Sequence, residues 1–313
     1  MAAALNRRRV SAGAVAGFLV FLFLAPPIFA LGPLAGLLLC SRPSTAREVW
    51  WLVATGLWVG LTVLPAGGIA DQMVLGWGML VSGSFLGVMF LRRSSFLQSA
   101  LPALALAATG MVFWGWSLGI GWTEVELAVA HQGWELCRSL LHAAASNGST
   151  AGQLPGYATF VDALAAGIGP MARLFPGMMT LMALGGLAVA WNWYHRIAVQ
   201  PVGTPPAPLA DFRFNDQLVW LVVAGLLVVV LPAPDQVQNV AANLLVALGG
   251  LYAVRGAGIV RAAAREVPSG LLLMLALGLV FVLPVALGAL VILGLADTWV
   301  NFRRRRLPPP LEV

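Results

Sequence analysis

Five polar side chains recur through WTEVELAVAHQGWELCRSLLHAAA (122–145): Glu124, His131, Glu135, Arg138 and His142, at intervals of 7, 4, 3 and 4 residues. On a helix that spacing gathers them on one face. Imidazole and carboxylate one turn apart are donors that a divalent cation accepts. Arg138 stands among them, however, and its charge would repel the ion; the HExxH pattern is also missing. The stretch reads instead as an amphipathic helix lying at a membrane surface. Val129, Leu136 and Leu140 help line its apolar side, and Trp122 and Trp134 suit the interface. No metal site and no cofactor is expected.

A second group is Gln236, Asn239 and Asn243, which fall on one helical stripe of DQVQNVAANLLVALGGLYAVRGAG (235–258). Amides within an apolar helix face protein or a cavity, since lipid offers them no partner. Two roles fit: gripping a small polar ligand, or hydrogen bonding between helices. Gly249, Gly250, Gly256 and Gly258 further along would let another helix approach closely. A third candidate is Asp297 in ILGLADTWVNFRRRR (292–306), an acid where an apolar segment meets a basic block. It would pair with Arg303 or Arg255, or remain hydrated.

The usual catalytic signatures are missing. There is no Walker A sequence and no GxSxG. Nor does any run of membrane-embedded acids resemble a proton relay. An intramembrane enzyme acting on lipid would need acids or histidines clustered at one depth, and none are evident, so the chain is not expected to be an enzyme.

These residues must be positioned by a membrane scaffold. Of 313 residues, 60% are hydrophobic and only 10% charged, too few polar side chains to cover a soluble globule of this size. The net charge of +6 comes from eighteen arginines and no lysine, in short runs between apolar stretches. Such runs set topology rather than bind nucleic acid. Cys40 and Cys137 lie far apart and form neither a metal pattern nor a disulfide framework.

Apolar runs occur at 10–25, 27–40, 49–64, 72–91, 98–118, 173–194, 216–232, 237–256 and 268–302. Most approach the roughly 20 residues needed to cross about 30 Å of hydrocarbon. The runs at 10–40 and 268–302 are long for one span and contain Pro26-Pro27 and Pro284, which leaves a single tilted helix as the alternative to a hairpin. Each is expected to be a hairpin of two short helices broken at its prolines. Sixteen of the eighteen arginines then share one side, leaving Arg138 and Arg173 opposite. The positive-inside rule makes that side cytoplasmic, with both termini on it. The basic, apolar start resembles a secretory signal but shows no clear cleavage site and is expected to be retained.

The expected fold is therefore an all-α, polytopic bundle of about 8–10 membrane segments in a multi-pass inner membrane protein. One integral domain would comprise N-terminal helices (1–118), an extracytoplasmic amphipathic helix and loop (119–172), a helix (173–199), a proline-rich cytoplasmic linker (200–215) and C-terminal helices (216–313). Trp50, Trp51, Trp191, Trp193 and Trp299 read as interfacial belt positions. Asp297, Trp299 and Arg303, Arg304, Arg305 and Arg306 would anchor the last helix against anionic headgroups. At the other end, Ala12/Ala16 and Gly13/Gly17 form small-residue faces for a neighbouring helix or a partner subunit.

Four stretches, ALGPLAGLLLCSRPS (30–44), FRFNDQLVWL (212–221), NLLVALGGLYAVRGAGIV (243–260) and LGLADTWVNFRRR (293–305), resemble the YybS-like predicted membrane proteins, a family of unknown function. Asp297, Phe302 and Arg303 carry the most specific part of the resemblance. That family is similar, by distant fold likeness, to the S components of energy-coupling factor transporters, helical bundles that capture a small solute from outside. The resemblance implies an S-component-like fold, a ligand gripped by Gln236, Asn239 and Asn243, and a coupling transmembrane subunit with ATPases docking on Ala12, Gly13, Ala16 and Gly17. The number of segments exceeds the usual six. The competing expectation is a scaffold or assembly factor whose arginine-rich face recruits anionic lipid or a cytoplasmic partner. Besides the bilayer, these are the expected partners; nucleic acid is not one.

Overall fold

The computed structural model describes residues 12–63, 68–91, 95–146, 157–264 and 283–300. All regular structure among them is helical, as the composition implies. The chain divides into two compact units, Met1–Pro206 and Ala207–Val313, the boundary falling inside the proline-rich linker.

The first unit contains α1 (Ala12–Leu24), α2 (Ile28–Cys40), α3 (Ala46–Val63), α4 (Ile69–Leu91), α5 (Phe96–Ser117), α6 (Trp122–Ser146), α7 (Tyr157–Arg173) and α8 (Phe175–Ile197). Among these, α4, α5 and α8 are long and apolar enough to cross a membrane. The break between α1 and α2 falls at Ala25–Pro27, where two prolines interrupt helical hydrogen bonding. Each of these 13-residue helices is only about 20 Å long, short of a full span.

Contacts along α1 and α2 show how deep they reach. Phe18 stacks on Trp193 with ring centroids 4.7 Å apart, and Phe21 lies beside Gly185, so α1 runs antiparallel to α8. On the way back, Ile28 meets Gly78, Gly32 meets Ser82 and Gly36 meets Leu86, so α2 runs parallel to α4. The proline turn thus sits near the level of Gly78 and Gly186, partway along both long helices. Gly186 is required there, because any Cβ would collide with the Phe29 carbonyl.

The opposite ends of these elements are tied together. Thr45 and Glu48 form a reciprocal capping box at the start of α3: the Thr45 N–H donates to Glu48 Oε2 at 3.0 Å, and the Glu48 N–H to Thr45 Oγ1 at 3.4 Å. The other oxygen, Oε1, accepts the Val199 N–H at 2.8 Å, just past the end of α8. Arg47 donates to the Arg196 carbonyl beside it, cation against helix C-terminus. Burial alone would raise the Glu48 carboxyl, but donors from Val199, Ser44 and Thr45 outweigh it and hold the group down to about 2. Trp191 and Trp193 are buried in the aromatic core at this end, with Phe18, Trp51, Phe85 and Phe96 as ring neighbours. The belt reading fails for both; Trp50 and Trp299 remain exposed.

At the far end α6 and α7 form a helical pair. The buried side of α6 carries Val125 and Cys137, with Gly133 against Ile168 of α7. Leu136, expected on that side, is exposed. Arg173 Nε reaches Glu126 Oε1 at 3.1 Å across the pair. The loop expected at 146–156 lies almost wholly outside the described residues.

The second unit contains a 3-10 turn (Leu209–Asp211), α9 (Leu218–Val230), α10 (Asp235–Ala263) and α11 (Leu283–Val300). The helix α10 is the hub, packing on α9, on the turn and most extensively on α11. Both α10 and α11 are long and apolar enough to cross a membrane, giving five such helices among the described residues; α9, α2 and Val15–Leu24 are shorter apolar helices. Pro284 is the second residue of α11, where its missing N–H costs nothing. The first half of the expected final hairpin, and Arg303 to Arg306, lie outside the described residues.

Candidate functional site

Two places in the molecule are built rather than merely packed. One is a cavity of about 500 Å³ in the first unit, between α4, α5, the start of α6 and the start of α8. Met73 and Trp77 of α4 and Phe175, Pro176 and Met179 of α8 line it. All precede Gly78 and Gly186, where α2 makes its closest approach. No described side chain of α1 or α2 contributes to the wall. The cavity therefore occupies the space left between the long helices where the short α1–α2 element stops.

Its roof comes from the α5–α6 connection. Gly119 adopts φ +68°, a left-handed conformation that ends α5 without the Cβ penalty, and the Ile120 N–H returns to the Gly115 carbonyl at 3.0 Å. This places Ile120 and Trp122 over the hollow. Two polar groups in the wall are already engaged: Trp77 Nε1 donates to the Met179 carbonyl at 3.3 Å, and the Thr180 hydroxyl to the Pro176 carbonyl at 2.8 Å; the Trp116 and Trp122 indoles are the other polar side chains that line it. No charged residue among those described lines it. Such a surface takes apolar groups, with methionines able to adapt to their shape.

The other place is an ion centre in the second unit. Arg255 on α10 is 2% exposed and Asp297 on α11 fully buried. Arg255 Nε donates to Asp297 Oδ2 at 3.0 Å, while Nη1 donates to Asp216 Oδ1 at 2.6 Å. The Phe214 ring lies 5.4 Å from the guanidinium carbon. Close approach of α10 and α11 makes this possible: a Cβ on Gly256 would strike the Leu290 carbonyl, and one on Gly294 the Tyr252 carbonyl. Tyr252 and Thr298 add buried hydroxyls beside the pair. These buried charges of opposite sign tie α10 to α11.

The sequence-derived candidates are scattered across these units. Asp297 pairs with Arg255, one of the two partners expected, and is not left hydrated. Asn243 Nδ2 donates to the Asn239 carbonyl one turn back at 2.8 Å, and Gln236 is exposed at the start of α10. In α1, Ala16 and Gly17 are exposed and open space lies beside Gly17; nothing is described for the side chain of Ala12, and Gly13 belongs to the same helix. On α6, Glu135 joins Arg138 at 2.9 Å and His131 at 3.9 Å, all exposed. The cavity itself was missed: Met73, Met111 and Met179 look like ordinary bilayer residues, and only the shortness of α1 and α2 signals space beyond them.

The family model described as predicted membrane protein (DUF2232) matches residues 14–298, so the chain belongs to that family. No curated protein and no solved structure matches the chain.

Proposed function

We propose that this member of the predicted membrane protein family (DUF2232) is a non-enzymatic binding component that captures a small, largely apolar molecule in the cavity of its first unit. The supporting observation is the cavity of about 500 Å³ with Met73, Trp77, Met111 and Met179 in its wall and with the Trp77 indole and the Thr180 hydroxyl already hydrogen-bonded. That volume falls within the range of small-molecule sites, and the wall offers shape and apolar contact rather than hydrogen bonds. Resemblance to S components supports capture at the outer side, followed by coupling to a transmembrane subunit with ATPases. The exposed Ala16 and Gly17 of α1 are where such a subunit would pack. Gln236, Asn239 and Asn243 would contact only a more polar solute in the second unit.

Purified protein in mild detergent would be extracted and its bound small molecules identified by mass spectrometry, alongside thermal shifts with a panel of apolar and polar metabolites. An apolar ligand at about 100 times its Kd should stabilise the protein by about 2.7 kcal/mol. Val125→Trp, which fills the hollow from α6, should remove both the bound molecule and the shift. No bound molecule and no shift would sink the reading and favour the scaffold role, whose signature is retention on anionic vesicles through the arginine-rich face.

A further inference from the structure

The cavity does not end at the bundle wall. A second, shallower hollow of about 500 Å³ is lined by Ala108, Thr109, Val112, Phe113 and Trp116. It shares Ala108, Val112 and Trp116 with the first. These three residues recur every four along α5 and form a strip common to the first, half-open cavity and the outward face of the helix. Val112, Phe113 and Trp116 are all exposed, and α5 is one of the membrane-crossing helices. What lies outside them is therefore hydrocarbon. Ala108 is the small residue at one end of the strip and Trp116 the large one at the other. The strip is about 12 Å long, close to the depth of one leaflet, roughly 15 Å of the bilayer's hydrocarbon.

We infer that the cavity is loaded sideways from the bilayer, and that its ligand is a single-chain amphiphile of acyl or isoprenyl type, its chain passing around α5 at Ala108 and Val112 to end against Trp77 and Met179. This rests on the proposed binding role and specifies its ligand class and route. Three features carry it. The two hollows share Ala108, Val112 and Trp116 along α5. Among the described residues no charged side chain lines the wall, and Trp77 and Thr180 are already partnered, leaving the Trp116 and Trp122 indoles as its other polar side chains, so a compact polar solute would lose most of its hydration without replacement. The elongated path along α5 suits a chain better than a compact ring system. A headgroup would emerge at the α5–α6 turn, beside Ser117 and Thr123 in the exposed connection.

The test uses the full chain in phosphatidylcholine nanodiscs containing a trace of palmitic acid with a mid-chain diazirine. After illumination, labelled residues are located by peptide mass spectrometry. The expected result is label on Met73, Met111 or Met179 inside the cavity, displaced by excess unlabelled oleate. Ala108→Trp should abolish the inner label while label on Phe113, which faces the bilayer, persists; that persistence also reports a folded protein. Should Ala108→Trp fail to fold, oleate displacement in the wild-type chain decides alone. Label confined to Thr109, Phe113 and Trp116, or inner label that oleate does not displace, identifies boundary lipid only and overturns the inference. If the protein still gives a thermal shift with a water-soluble ligand that Val125→Trp removes, the binding role stands and only the lipid route falls.

Discussion

Arg255 on α10 and Asp297 on α11 form a buried ion pair, Nε to Oδ2 at 3.0 Å, with neither side chain meaningfully exposed. Asp216, from the segment preceding α9, takes the remaining side of the guanidinium but keeps 59% of its own surface exposed. The pair therefore has one partner that cannot be rehydrated and one that can.

Removing the buried partner should cost far more than removing the exposed one. Asp297→Ala removes the buried carboxylate from the guanidinium, leaving the exposed Asp216 to hold it, and is expected to destabilise by up to about 3–5 kcal/mol. Asp216→Asn should cost no more than about 1 kcal/mol. The double variant Arg255→Met with Asp297→Leu removes both charges and should recover most of the loss. Thermal unfolding in detergent measures all three; equal effects at 216 and 297 would contradict the burial difference.

The glycines that allow this pair to form make a separate prediction. Gly294→Ala drives a methyl into the Tyr252 carbonyl, backbone that cannot rotate away, and should destabilise by about 1–3 kcal/mol as α10 and α11 are forced apart. Gly288→Ala, one face away on α11 with nothing near its Cβ position, should gain up to about 1 kcal/mol of helix propensity. Opposite signs in the two melting shifts are the expected outcome.

How much of this was legible in the sequence follows from what each signal measures. Hydropathy and proline placement located α4, α5, α8 and the break at Pro26-Pro27, because bilayer thickness and the missing proline N–H act locally. The helix α7 went unread, since Gly167, Gly169 and Pro170 look like loop residues; its Ile168 and Ala172 find burial only once α6 lies alongside. Trp191 and Trp193 look like belt residues by position along the helix, but which side of α8 faces protein depends on α1 and α2 packing there. Pairing of Arg255 with Asp297 was among the expected alternatives, yet the choice depended on the close approach at Gly256 and Gly294. The cavity is a property of how deep the α1–α2 turn reaches between the long helices, which no local pattern encodes.

Glu48 gives the first unit a pH dependence of defined sign. Its folded carboxyl lies at about 2, below its ordinary 4.5, because Val199, Ser44 and Thr45 donate to the ionised form. A depressed value means that its stabilisation is complete above about pH 4.5 and is lost as pH falls toward 2. Glu48→Gln should therefore melt below the wild-type chain at pH 7, and the gap should narrow between pH 5 and pH 2.5. Melting curves across that range, with protein and detergent concentrations fixed, measure the gap; a constant difference would assign the role of Glu48 to packing.

The sidedness of the bundle can be read chemically. Within the first unit, Arg47 and Arg196 meet at one end, while Trp122 and Phe175 lie at the cavity end. The positive-inside rule predicts that the arginine end is cytoplasmic, which would put the cavity at the outer side. In a background with Cys40→Ser and Cys137→Ser, Ser149→Cys lies between α6 and α7 on the expected outer side, and Thr204→Cys in the proline-rich linker on the inner. A membrane-impermeant maleimide added to intact cells should label the first and reach the second only after permeabilisation. The reverse pattern would place the cavity on the cytoplasmic side and make capture from outside untenable, whatever ligand it holds.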